Sequence, residues 1–246
     1  MTQHDTQRVE TYTAADGTPL PLHVFTPVGA AKAAILLFHG GCWMAGSPAK
    51  FFPHAKALAQ AGILTASAGY RLVGAGADTP LDCMTDAKRA EAAFRTVAAN
   101  AGLTSISVGG GSAGGQLALS LAASPDRQYD NLVLFNPALD ACREDAPITK
   151  LLNLSPEQAR AISPLHHVRP CMPPTVMFHG TDDQLVPIQL ARKFRDLLAA
   201  AGNDCELIEF PGAQHGFFNF NENDNHTYDR VLELTQAFLL TQAARP

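Results

Sequence analysis

Residues 105–122 read SISVGGGSAGGQLALSLA, one serine hydroxyl between glycines, with a β-branched run before it and an alanine-leucine run after it. Glycine at a strand-to-helix junction costs conformational entropy and adds no packing. The stretch therefore calls for a sharp turn or for close approach of the backbone to another group. Gly110-Gly111-Ser112-Ala113-Gly114 fits G-x-S-x-G, in the strand-then-helix context that pattern requires. A serine on such a turn presents its oxygen at the top of a sheet, on strained backbone, and the flanking glycines remove β-carbons that would strike the adjoining strand and helix. The competing reading is a phosphate loop. GGGSAGG has no lysine and no clear ribose acid, and it follows an internal strand, which disfavours a dinucleotide-binding protein.

Around this junction, apolar runs of strand length alternate with segments of helical period. Residues 20–27, 33–40, 63–72, 131–139, 174–183 and 205–212 read as strands, together with SISVGG itself. Residues 51–62, 82–102, 187–202 and 228–242 read as helices, together with AGGQLALSLAAS. Strands apolar on both faces, separated by helices, imply a mostly parallel sheet covered by helices. No Ser/Gly linker divides the 246 residues, so the reading is a single domain over 1–246. One stretch, 140–173, is long, proline-bearing and only weakly helical. An insertion after a strand's carboxyl end lies over the ligand crevice of an open parallel sheet, which makes it a candidate cap.

Composition narrows the classes further. Hydrophobic residues make up 46% of the chain and charged residues 17%, enough for a large core. The net charge of −5, with no Lys/Arg cluster, argues against a nucleic-acid partner. No apolar run approaches the length of a membrane span, and the polar start MTQHDTQRVE carries no export signal. Cys42, Cys83, Cys142, Cys171 and Cys205 are odd in number and lack CxxC spacing. They read as reduced thiols of a cytoplasmic protein, with no zinc site or other metal.

A serine hydroxyl needs a histidine base, and that histidine needs a carboxylate to fix its tautomer. Of the nine histidines, His23, His54, His166 and His167 read as surface or packing residues, and His179, at a strand end, as a buried structural one. His215 lies in the glycine-flanked loop FPGAQHGFFNF after the final strand, on the same sheet edge as the serine turn. For the acid, HGTDDQLVP offers Asp182 and Asp183 after the penultimate strand. Asp183 is taken as the inward-turned member, with Asp140, one strand earlier, as its rival. The order Ser112, Asp183, His215 is that of the α/β-hydrolase fold. A developing oxyanion needs N–H donors, and the loop His39-Gly40-Gly41-Cys42-Trp43 supplies Gly41 and Cys42 to act with Ala113. Trp43, Met44, Phe217 and Phe218 flank these loops as candidate pocket residues.

Taken together, HGGCW, ASAGYRL, GGGSAGG, HGTDDQLVP and GAQHGFFN, spread over about 20–240, resemble the small bacterial esterases related to hormone-sensitive lipase and to the carbohydrate-ester esterases. The resemblance implies a twisted sheet of about eight strands with helices on both faces. It also implies hydrolysis of short-chain acyl esters of carbohydrates or small alcohols, by a monomer or homodimer without cofactors. Two positions depart from the family pattern: Cys42 stands where a third glycine is usual, and Gly69 where an aspartate often precedes Tyr-Arg-Leu. The same triad would serve an amide or formamide hydrolase or a peptidase, and the fold can also serve as a non-catalytic binding module.

Overall fold

The computed structural model describes residues 7–143, 147–221 and 225–243; residues 144–146 of the 140–173 insertion lie outside them. In chain order the elements are β1 (Gln7–Thr13), β2 (Pro19–Phe25), β3 (Ala33–Phe38), α1 (Phe52–Gln60) and β4 (Ile63–Ala68). The two-residue strands β5 (Leu72–Val73) and β6 (Gly76–Ala77) follow, then α2 (Pro80–Asn100), β7 (Ser107–Gly111), α3 (Ala113–Ala122) and β8 (Leu132–Phe135). The chain continues through α4 (Pro147–Leu151), α5 (Pro156–Ala161), β9 (Thr175–Gly180), α6 (Ile188–Ala200), β10 (Cys205–Phe210) and α7 (His226–Ala243).

The main sheet has eight strands in the order β1-β2-β4-β3-β7-β8-β9-β10. β1, β2 and β4 pair antiparallel, and every other neighbouring pair is parallel. β3 is buried at every position, and successive residues serve opposite faces. Leu36 and Phe38 join the core formed with Phe94, Leu117 and Phe194 from α2, α3 and α6. Ile35 and Leu37 join the core that includes Leu58 of α1 and Val231 and Leu239 of α7. The unbroken apolar runs in the sequence are the signature of this two-sided burial.

The chain leaves β3 for β4 on one side, then returns through α2 to β7 on the other. Between β3 and β7 the winding direction reverses, and at such a point the loops leaving the two carboxyl ends diverge and open a crevice. Parallel pairing of β3, β7, β8, β9 and β10 brings all their following loops to this one rim.

One strand and one strand end depart from the sequence reading. β1, absent from the strands read there, is an edge strand with Tyr12 buried and Arg8, Val9, Thr11 and Thr13 exposed. The strand expected over 131–139 ends at Phe135, because Asn136 takes a left-handed φ of 34° and Pro137 follows it.

Candidate active site

Ser112 joins β7 to α3 with φ 52° and ψ −118°, outside the ordinary allowed regions. Three hydrogen bonds hold it there. Its N–H donates to the Phe135 carbonyl at 2.9 Å, and its own carbonyl accepts from Gln116 at 3.1 Å and from Ala138 at 3.0 Å. The turn tolerates no β-carbon nearby: one on Gly114 would lie 2.0 Å from the Phe38 carbonyl oxygen, and one on Gly110 would lie 2.5 Å from the Gly114 backbone. The elbow is pressed against β3, and the glycines permit it.

His215 brings its Nε2 to 3.0 Å from Ser112 Oγ and its Nδ1 to 2.7 Å from Asp183 Oδ2. A carboxylate only accepts, so Nδ1 carries the proton and Nε2 is left to accept from the serine. Asp183 has a fully buried side chain, and its other oxygen accepts from the Leu185 and Val186 N–H groups, both at 2.9 Å. Burial works against its charge, yet the hydrogen bonds from His215 and Val186 and the nearby imidazoles prevail and hold the carboxyl below its ordinary range. Neither rival acid pairs with His215: Asp182 is exposed, and Asp140, which lines a cavity beside Ser112, accepts from the Cys142 N–H through Oδ1. His179 Nε2 pairs with the Val186 carbonyl at 2.8 Å beneath Asp183.

The loop after β3 leans over the elbow so closely that a β-carbon on Gly40 would lie 3.2 Å from Ser112 Cβ. Gly41, Cys42 and Trp43 follow with φ of 129°, 54° and 60°, three positive values in succession. Ala45 packs on Gly41 within 2.1 Å of where a β-carbon would sit, so only glycine fits there. The curl is pinned by the Val73 N–H to the Trp43 carbonyl (2.8 Å), by Trp43 Nε1 to Gln116 Oε1 (3.1 Å) and by Tyr70 Oη to the His39 carbonyl (2.8 Å). Ala113 opens α3, where a helix leaves its N–H groups without intrahelical acceptors. Cys42 occupies its left-handed position without glycine's freedom and lies at the surface.

Gly69, the second departure, has no room for a side chain, since a β-carbon would meet Pro21 Cγ at 2.9 Å. The Arg71 guanidinium is instead held by Asp86 through two 2.8 Å bonds and by Asp16 at 2.9 Å.

Ser112 lies between two cavities. One, of about 280 Å³, is lined by Trp43, Leu139, Ile148, Leu151, Leu185 and Leu190, so α4 within the 140–173 insertion forms part of its wall. The other, of about 300 Å³, is lined by Gly41, Lys50, Phe51, His215, Phe218 and Asn219. Trp43 and Phe218 thus line cavities beside the serine. Met44 and Phe217, expected there with them, line neither. Met44 is exposed, and Phe217 is buried against Phe210 at 4.8 Å between ring centroids. Sequence reasoning passed over Asn136, whose side-chain nitrogen lies 3.1 Å from His215 Nδ1 and 3.3 Å from its Nε2. A lone asparagine before a proline carries no motif; its signal is the left-handed φ.

Among the described residues, no helix is long and apolar enough to cross a membrane. Residues 81–242 match the prolyl oligopeptidase family. An esterase from the Planctomycetes species Thermogutta terrifontis, solved with propionate bound, has a TM-score of 0.85 at 35% identity, over 98% of this chain and 96% of that one. Esterase 2 of that species phosphoramylated by tabun gives 0.84 at 36%, with the same coverage of both chains. The probable carboxylic ester hydrolase LipM of Mycobacterium tuberculosis is 30% identical over 207 residues, 72% of this chain and 48% of LipM. The chain spans about half the length of that relative.

Proposed function

Since the chain belongs to the prolyl oligopeptidase family and has the α/β-hydrolase fold, we propose that it is a serine carboxylic-ester hydrolase for short-chain acyl esters of small alcohols or carbohydrates. The observation that carries this reading is the continuous chain Asp183–His215–Ser112, with contacts of 2.7 and 3.0 Å at the rim of the sheet. Ser112 Oγ attacks the acyl carbon while its proton passes to His215 Nε2. Asp183 stabilises the imidazolium. The carbonyl oxygen takes the electron pair and is met by the N–H groups of Gly41, Cys42 and Ala113. The tetrahedral species collapses, His215 gives its proton to the departing alkoxide, and an acyl-serine remains. Water, deprotonated by His215, repeats the sequence and frees the acid. No step calls for a cofactor or a metal.

Assignment of the two cavities follows from where the proton must go. The leaving oxygen has to lie near His215 Nε2, and His215 lines the cavity containing Lys50 and Phe218, which therefore receives the alcohol. The other cavity, walled mainly by leucines and Ile148 with Asp140 and Arg143 beside them, receives the acyl chain, and its size suits a short one. In this reading the chain is one domain, with 140–173 as a small cap over the acyl side. The five free thiols suit a reducing cytoplasm.

A panel of p-nitrophenyl esters of increasing acyl length, run beside acetylated sugars and matched amides, tests the proposal. Folded wild-type protein is expected to turn over the short esters and to be labelled by an organophosphonate. Ser112→Ala is expected to lose both. Turnover retained in Ser112→Ala, or faster turnover of the amides than of the esters, would overturn the reading.

A further inference from the structure

Asn136 combines three features that each cost stability. It follows Phe135 at the end of β8 with a left-handed φ of 34°, a conformation that asparagine tolerates better than most residues. It also precedes Pro137, whose ring restricts the backbone of the residue before it. Its side chain is fully buried, and among the described residues its carbonyl oxygen has no hydrogen-bond partner. A buried amide oxygen left unpaired loses its hydration with nothing in return. Local strain of this kind, held by surrounding structure, points towards function. The surrounding hold is plain: the Asn136 N–H donates to the Phe178 carbonyl of β9 at 2.8 Å, while Phe135 receives the Ser112 N–H.

The amide nitrogen faces His215, at 3.1 Å from Nδ1 and 3.3 Å from Nε2. The in-plane directions of those two nitrogens are already taken by Asp183 and Ser112. Near-equal distances to both place the amide over the face of the ring. His215 itself sits in a loop beyond β10, joined to Gly216 with φ 84°, and its side chain is 20% exposed. We infer that Asn136 is a positioning residue, its carboxamide packed on the imidazole face so that the ring stays in the plane joining Asp183 to Ser112. Asp183 fixes one edge of the ring; rotation about that bond would swing Nε2 away from the serine. A flat group against the face opposes that rotation without competing for either nitrogen's lone pair.

This inference rests on the serine-hydrolase reading, and its test separates the two. Asn136→Gly accepts the left-handed φ and removes the amide. Asn136→Asp keeps the shape and puts a negative charge over the ring. The charged and titratable groups otherwise near His215 among the described residues are Asp183, His179 beneath it, and Lys50 and Cys42 lining the same cavity, and they are common to all the proteins compared. With p-nitrophenyl butyrate, folded Asn136→Gly is expected to lose about ten- to a hundredfold in kcat, the scale of a misplaced catalytic group, with KM within about twofold. The rate of organophosphonate labelling should fall in parallel. In Asn136→Asp the acid limb of the kcat/KM profile should move to higher pH, because the added charge favours a protonated ring. Wild-type-like kcat in the glycine variant, loss confined to KM, or an unmoved acid limb in Asn136→Asp would overturn the inference alone. Absence of labelling in the wild type would overturn the hydrolase reading beneath it.

Discussion

His54 of α1 is 1% exposed, and among the described residues neither of its ring nitrogens makes a hydrogen bond of full geometry. Aromatic rings surround it: Tyr228 at 4.7 Å, Phe51 at 5.1 Å, Phe135 at 5.8 Å and Phe218 at 6.2 Å between centroids. Burial, only partly opposed by the Phe218 backbone, drives its pKa from 6.5 down to about 3. A histidine depressed in this way is protonated first in the unfolded chain. Its effect on stability is therefore nil above pH 6.5 and grows as pH falls towards 3, where folded protein at last takes up the proton. At about 1.4 kcal/mol per unit, the loss amounts to about 2 kcal/mol at pH 5 and on the order of 5 kcal/mol at the lower end of that window.

His54→Phe removes the titration and places one more ring in an aromatic cluster. Urea unfolding of both proteins at pH 8 and pH 5 gives four free energies. The difference between the two pH-dependent losses isolates His54, since any constant packing effect of the phenyl ring cancels. His39, lowered to about 4 by burial, and His179, lowered for the same reason, remain in both proteins and cancel too. The variant is expected to lose about 2 kcal/mol less than the wild type between the two pH values. Equal losses in the two proteins would refute the argument that a buried imidazole at this position resists protonation.

Gly114→Ala adds helix propensity to α3 but drives a β-carbon to 2.0 Å from the Phe38 carbonyl oxygen of the buried strand β3. Urea denaturation is expected to show a loss of roughly 3 kcal/mol or more, with Ser120→Ala on the same helix as a near-neutral control; a stable Gly114→Ala protein would contradict the packing of elbow on strand. Leu190→Ala lengthens the leucine-walled cavity beside Ser112. Each acyl methylene newly accommodated should raise kcat/KM about fourfold, the equivalent of about 0.8 kcal/mol. A chain-length optimum unmoved in Leu190→Ala would place the acyl group in the other cavity.

Much of this architecture is legible in the sequence because two-sided burial writes itself as unbroken apolar runs, as in Ala33–Phe38 and Leu132–Phe135. The chain order of the three site loops is legible too, since parallel strands deliver their exits to one rim. What escapes is decided by contacts between distant residues. β1 is disguised because exposed Arg8 and half-buried Glu10, paired at 3.0 Å, give an edge strand a polar composition. The end of β8 is disguised because LVLFNPAL stays apolar past Phe135, and only the backbone of Asn136 stops the strand. Met44 and Phe217 adjoin site loops in sequence, but the curl after Gly41 and the aromatic packing after β10 turn them elsewhere.

The strained positions show why the same rim could hold such a site. Among the described residues, the non-glycine residues with positive φ are Cys42, Trp43, Ser112, Asn136, Asn153, Cys171, Asn221 and Asn225. Setting aside the asparagines, which tolerate that region, leaves Cys42, Trp43, Ser112 and Cys171, of which the first two adjoin the serine that is the third. Each costs on the order of 1–2 kcal/mol, so their clustering is informative only if something nearby makes the alternatives worse. That restraint is visible: the elbow is held by β8 and wedged on β3, and the loop over it is tied to Val73, Tyr70 and Gln116. A fully buried parallel sheet is the part of the fold least able to yield, because its strands are locked on both edges and both faces. Strain placed at its rim is thus retained, whereas the same dihedrals in a free loop would relax.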